Sequence, residues 1–193
     1  MTYTGGSSGV FDDFPFAAEV LAGQSIDRLT TAERDAVEAY ALNGFQRINT
    51  ALRSPGPISQ ALERLIVDIR TGLARYPLPE TVRVTREVDS FVLGIAGGNS
   101  AEDIVGDYFT ELGFLSTSGK TRPPHSQQHI DPVILELLVP AGTPALRLGE
   151  LSTVPDEKEI LLIDARTYFA IHAAPDERSK LWRIEAIVVE EEQ

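Results

Sequence analysis

The chain has 193 residues, 42% of them hydrophobic, which fits one globular domain able to bury roughly two-thirds of its unfolded surface. A net charge of −12 and a pI near 4.6 argue against nucleic-acid binding and against an anionic membrane surface, since both need clustered Lys and Arg. There is no cysteine, which excludes a disulfide framework, a thiolate nucleophile and a Cys-based metal site; no apolar run approaches the ~18 residues of a membrane span, so a soluble protein is expected.

Residues 1–25 read as a flexible lead or short extension, because the first ten are rich in Gly and Ser. They carry neither the basic nor the apolar region of a signal peptide. Residues 26–193 read as one domain. Thr30 and Glu33 form a capping-box pattern ahead of Ala36, Val37, Tyr40, Ala41 and Phe45 at helical spacing, which predicts a helix to about Arg53. A second helix is predicted after Pro57, with Ile58, Leu62, Leu65, Ile66, Ile69 and Leu73 on one face. The period then changes to two over Val82–Val88, as in a strand. Ser100 to about Leu112 reads as a short helix, with Ser100 and Asp103 as its cap and Gly113 as its stop. Strands are predicted at 114–118, 133–139, 145–148, 159–163, 168–173 and 182–190, with a polar loop over 119–132. Helices first and strands after predict an α+β fold, with N-terminal helices on a mostly antiparallel, two-sheet β core.

Three features bear on chemistry. Val82, Val84, Arg86 and Val88 share the apolar face of one strand, so Arg86 points inward. A buried guanidinium needs an anion, which is either a structural carboxylate or a bound ligand. Arg83, on the other face, reads as solvated. Ser116, Thr117 and Ser118 follow two apolar residues and either bond the backbone or form a polar wall. Glu157 and Glu159 open an apolar strand and project from one face roughly 6–7 Å apart. They are either a solvated acidic turn or a pair held for a task. The three features lie about thirty and then about forty residues apart, a spacing that lets them meet in one cleft. A guanidinium suits a diphosphate, and a carboxylate suits a ribose hydroxyl and an oxocarbenium-like transition state. His125 and His129 lie in a Pro-containing loop without further ligands, so no metal site is expected. Arg122 in that loop reads as solvated, and His172 as packing or surface.

On these residues the chain resembles the ADP-ribosyltransferase exoenzymes of the Arg–Ser–Glu class, which include the clostridial binary actin-modifying toxins. Val84-Thr85-Arg86-Glu87 fits the family's NAD-binding strand. Gly113-Phe114-Leu115-Ser116-Thr117-Ser118 fits its STS motif, Val139-Pro140-Ala141-Gly142-Thr143 its "vPaGt", and Glu157-Lys158-Glu159-Ile160-Leu161-Leu162 its ExE motif. Tyr40, Phe45, Asn49 and Leu52-Arg53 match the family's helical pattern. The chain departs from the family at Glu87, which stands for Gly, at Ala165-Arg166-Thr167, which replaces a Gly-Thr turn, and at Leu151–Asp156, which lacks an aromatic residue.

The resemblance implies NAD as substrate, with no metal. It places Arg86, Arg53, Asn49, Tyr40, Phe45, Thr117 and Ser118 around NAD, and gives Ser116, Glu159 and Glu157 the catalytic roles. In this scheme Ser116 orients Glu159, Glu159 holds the ribose hydroxyl, and Glu157 receives an incoming arginine guanidinium. The implied activity is mono-ADP-ribosylation of a target protein on arginine by a monomeric toxin or effector. Such a protein would be secreted or delivered without a classical signal peptide, with neither nucleic acid nor membrane as a partner. An NAD glycohydrolase, and a non-catalytic binding or virion component keeping the fold, are the alternatives.

Overall fold

A computed structural model describes residues 9–95, 100–152 and 158–189. The capping box forms as the sequence predicts. Thr30 N–H donates to Glu33 Oε2 at 2.8 Å, and Glu33 N–H donates to Thr30 Oγ1 at 3.3 Å. Helix α2 (Thr31–Ala39) comes after a short helix α1 (Ala17–Val20) and runs into a π-helical turn at Tyr40–Gly44, then α3 (Phe45–Arg53). The expected single helix is thus one path with a π-bulge inside it. Gly44 permits the bulge, because a Cβ there would sit 2.6 Å from the Ala39 carbonyl oxygen. Helix α4 (Gln60–Ala74) starts at the Ser59 cap and buries Leu62, Ile66, Ile69 and Leu73. Ile58 precedes that cap and is partly exposed, so it does not belong to the buried face. Arg75 ties the two helices together by donating to both Glu33 oxygens at 2.9–3.0 Å.

Among the described residues eight strands follow: β1 (Val82–Asp89), β2 (Tyr108–Glu111), β3 (Leu115–Ser118), β4 (Pro132–Val139), β5 (Ala145–Arg147), β6 (Glu159–Leu162), β7 (Arg166–Pro175) and β8 (Trp182–Val189). Their order is β2-β7-β8-β4-β1-β3-β6-β5, antiparallel except for β4 with β8. A five-stranded and a three-stranded part join where Thr85 of β1 pairs with Ser118 of β3. The strand β6 shows why the small part is buried on both sides. Ile160 and Leu162 pack with residues of β1, β4 and β8, whereas Leu161 packs with Tyr40, Ile69 and Phe114 under the helices. The fold is α+β with two layers of core, as the order of helices and strands implies.

Two segments differ from expectation. Ser100–Leu112 is not a helix. Its capping box serves one 3-10 turn, Ala101–Ile104, after which Gly106 adopts φ +97° and the chain becomes β2. Tyr108 and Phe109 then stack across the ladder on Phe169 (4.7 Å) and Tyr168 (5.2 Å), and such cross-strand aromatic pairs favour strand over helix. The boundary at residue 25 marks no break in packing. Phe11, Ala17 and Leu21 are buried, Arg83 N–H donates to Pro15 O at 2.8 Å, and Ala18 N–H donates to Gly119 O at 3.0 Å. Among the described residues no helix is long and apolar enough to cross a membrane.

Candidate active site

Arg86 lies on β1, and its inward face results from the strand alternation. Its Nη1 donates to the Ser116 carbonyl at 3.3 Å, and among the described residues it makes no ion pair. Arg83 corrects the sequence reading. It is largely buried, stacked 4.1 Å over the Phe16 ring, and paired with Asp12 (3.1 Å) and Glu136 (3.4 Å).

Antiparallel pairing of β3 with β6 sets Ser118 opposite Glu159 and Ser116 opposite Leu161, which brings the Ser116 and Glu159 side chains to one face. Ser116 Oγ donates to Glu159 Oε1. Ser152 Oγ, from the turn after β5, donates to Glu159 Oε2 at 2.9 Å. Glu159 is thus held at both oxygens. Ser152 is not evident from the sequence, because a lone Ser in a polar loop gives no signal.

Thr117 and Ser118 are both buried, on opposite faces of β3. Thr117 Oγ1 donates to Ile160 O at 2.8 Å, and Ser118 Oγ accepts from Lys120 N–H at 3.3 Å, so both brace the strand ends. Glu157 lies outside the described residues.

Tyr40 and Asn49 sit behind this strand, on the Phe114 backbone. Asn49 Oδ1 accepts from Phe114 N–H at 3.0 Å, and its Nδ2 donates to Phe114 O at 3.0 Å. Tyr40 OH donates to the same carbonyl at 3.2 Å, and the two rings meet edge to face. Both residues are buried, and burial pushes the Tyr40 phenol up to about 12, so it stays neutral. They fix the entry to Ser116. Gly113 is required here, since a Cβ would meet the Asn49 side chain at 2.8 Å.

Two adjoining cavities meet at Arg86. One, about 440 Å³, is lined by Arg53, Arg86, Glu111, Phe109, Leu115 and Tyr168 among others. The other, about 170 Å³, is lined by Arg86, Ser116, Glu159, Pro123, Pro124 and Ser126 among others. Phe45 is 47% exposed and borders neither cavity. Arg53 and Arg86 open onto the same space. Arg53 donates twice to Glu111, at 2.8 and 2.7 Å, and Glu111 also accepts from Gly113 N–H at 2.6 Å. Glu111 escapes sequence reasoning because its segment reads as helical. A larger concavity, about 640 Å³, is lined by Arg83, Glu136, His172, Asp176, Arg183 and Glu185 among others, and shares none of these site residues. Arg122 belongs there, 3.6 Å from Asp176, and His172 bonds Glu185 at 2.7 Å. Among the described residues no group of three or more His, Asp or Glu is arranged to hold a metal ion.

A sequence-family model described as ADP-ribosyltransferase exoenzyme matches residues 20–191. Among solved structures, the chain is similar to Plx2a, an ADP-ribosyltransferase toxin from Paenibacillus larvae. They share 26% identity at a TM-score of 0.70, covering 84% of this chain and 88% of that one. It is also similar in fold to C3stau2 from S. aureus, determined with NAD (20% identity, TM-score 0.72, 91% and 93% covered). The enzymatic component C2-I of the Clostridium botulinum C2-toxin matches at 22% identity and a TM-score of 0.73; that match covers 93% of this chain and 49% of C2-I. A comparison with curated protein sequences finds no match.

Proposed function

The chain belongs to the ADP-ribosyltransferase exoenzyme family, whose substrate is NAD, and on that premise we propose that it transfers ADP-ribose from NAD to an arginine of a target protein. The observation that carries this reading is the doubly held Glu159 facing an Arg86 that has no carboxylate partner among the described residues. A carboxylate whose two oxygens are fixed by hydroxyls is oriented before substrate arrives, which is what electrostatic stabilisation of a developing cation requires. A guanidinium facing a cavity without its own counter-anion suits a diphosphate.

In the proposed reaction the diphosphate lies on Arg86 and Arg53. Glu159 accepts a hydrogen bond from the nicotinamide ribose. The C–N bond to nicotinamide breaks, its electron pair leaving with the neutral nicotinamide, and positive charge develops on the ribose. An arginine nitrogen of the target attacks the same carbon, and Glu157 takes the proton it loses. A chain of net charge −12 attracts a cationic acceptor. The protein acts, in this reading, as a toxin or effector on a protein other than itself.

Incubation of wild type, Glu157→Gln and Glu159→Gln with labelled NAD and a cell lysate tests this. The expected result is loss of both nicotinamide release and protein labelling in Glu159→Gln. In Glu157→Gln, nicotinamide release persists while labelling is lost, and mass spectrometry places wild-type ADP-ribose on arginine. Labelling that survives Glu159→Gln overturns the mechanism. Nicotinamide release by wild type without protein labelling favours NAD hydrolysis, and absence of NAD binding in a calorimetric titration favours a non-catalytic module.

A further inference from the structure

Loop 119–131 leads from β3 to β4 and borders the smaller cavity. Alternate residues of β1 hold it in sequence. Thr85 Oγ1 donates to Lys120 O at 2.7 Å. Glu87 accepts from Ser126 N–H at 2.9 Å, from His125 Nδ1 at 3.0 and 3.2 Å, and from His129 Nδ1 at 3.0 Å. Asp89 Oδ1 accepts from the amides of Ile130 (2.7 Å) and Asp131 (3.1 Å). Residues 85, 87 and 89 share one face of the strand, so β1 offers three acceptor or donor groups at even spacing along the loop. The middle one is the buried carboxylate, 7% exposed, and it engages three loop residues. Burial alone would raise its pKa; the Ser126 amide and the two imidazoles outweigh that and keep Glu87 below the usual carboxylate range, hence anionic.

We propose that Glu87 is a positioning residue for the NAD site, holding loop 119–131 against β1 so that Pro123, Pro124, Ser126 and His129 wall the cavity that Glu159 also lines. Glu87 thereby sets the affinity for the nicotinamide–ribose half of NAD. The inference rests on the proposed function, which puts that half of NAD beside Glu159. A loop already in place spares the ligand the cost of ordering it, and that saving appears in binding rather than in bond breaking. Among the described residues Glu87 hydrogen-bonds loop residues and not Ser116 or Glu159. The residue carries out locally what a flexible loop beside a Gly could not: it converts one position of β1 into an anchor.

The test has two arms, using Glu87→Ala, Glu87→Gln and the double variant His125→Ala/His129→Ala of the full chain. Hydrogen exchange without NAD reads the hold directly. In Glu87→Ala, amides near Ser126 exchange faster while those of β1 and β4 keep their protection. Steady-state nicotinamide release reads the consequence. KM for NAD rises about 10- to 30-fold in Glu87→Ala, kcat stays within about threefold, and Glu87→Gln, which keeps an acceptor for Ser126 N–H, lies between. The double histidine variant moves KM in the same direction. Unchanged exchange near Ser126 overturns the hold. Faster exchange with KM within about twofold of wild type overturns its role in affinity. A fall in kcat as large as the rise in KM overturns positioning in favour of chemistry. If wild type binds and cleaves no NAD, the functional reading fails and this role in affinity falls with it, while the exchange arm still decides whether Glu87 anchors the loop.

Discussion

Replacing Ser152 with alanine isolates the part of the site that only the structure reveals. Ser116 and Ser152 each donate to a different oxygen of Glu159, so the variant removes one of two restraints and leaves the other intact. A hydrogen bond to an ionised carboxylate contributes about 1.5–3 kcal/mol. Glu159 borders a cavity that admits water, which partly replaces the lost donor, so the lower part of that range, about 1.5–2 kcal/mol, is expected. At about 1.4 kcal/mol per decade this corresponds to nicotinamide release slowed about 10- to 30-fold at saturating NAD. KM should change by less than about threefold, since Ser152 orients the carboxylate and lines neither cavity. The assay is initial-rate nicotinamide release by wild type, Ser152→Ala, Glu159→Gln and the combined variant. Because Ser152 acts through Glu159, the combined variant should be no slower than Glu159→Gln alone. A kcat for Ser152→Ala within about twofold of wild type, or a further loss in the Glu159→Gln background, would refute the two-point hold.

Arg86→Lys keeps the charge but loses the planar fork; KM for NAD should rise about tenfold or more, measured against an unchanged Tm. Arg53→Ala and Glu111→Ala should both raise KM, and the double variant should match Arg53→Ala, because Glu111 acts by orienting the guanidinium it grips at 2.7 and 2.8 Å; fully additive losses would show that Glu111 binds substrate on its own. Glu33→Ala removes the α2 capping box and should cost about 1–2 kcal/mol in denaturant unfolding. The sign of the Glu33 shift sets the pH dependence of that loss. Although burial works against it, Arg75 and Thr30 hold the Glu33 carboxyl below its ordinary value of 4.5. Its contribution is therefore present above that value and lost as pH falls through the lower folded value. The stability gap between wild type and Glu33→Ala should accordingly close in acid, and a gap that widens there would contradict the assignment.

The legible parts of the fold are those where a local pattern has one structural meaning. The Thr30–Glu33 box and the apolar stripe of α4 correctly indicate helices because capping and 3.6-residue periodicity act within a few residues. The direction of Arg86 is legible for the same reason, since alternation along β1 decides it. Ser100–Asp103 shows where local signals stop. A capping box specifies only the first turn; whether a helix continues depends on the residues downstream, and here Gly106 and the aromatic pairs with β7 direct the chain into a strand. Those pairs join residues about sixty apart, which no local pattern encodes.

The site itself is legible as residue types, through the Arg, Ser and Glu motifs, but its working contacts depend on partners distant in sequence. Tyr40 and Asn49 stand at the expected helical positions, yet they act on the Phe114 backbone, 65 residues beyond Asn49. Both are buried, with their polar atoms engaged on one another and on the Phe114 N–H and C=O. Phe114 lies two residues before Ser116, immediately ahead of β3. Fixing its backbone therefore fixes where Ser116 Oγ stands, and Ser116 in turn fixes Glu159. The motif residues supply the chemistry, and the helical residues determine whether those groups meet at hydrogen-bond distance, so the helices and the strand motifs work as one device rather than as a scaffold with a site added to it.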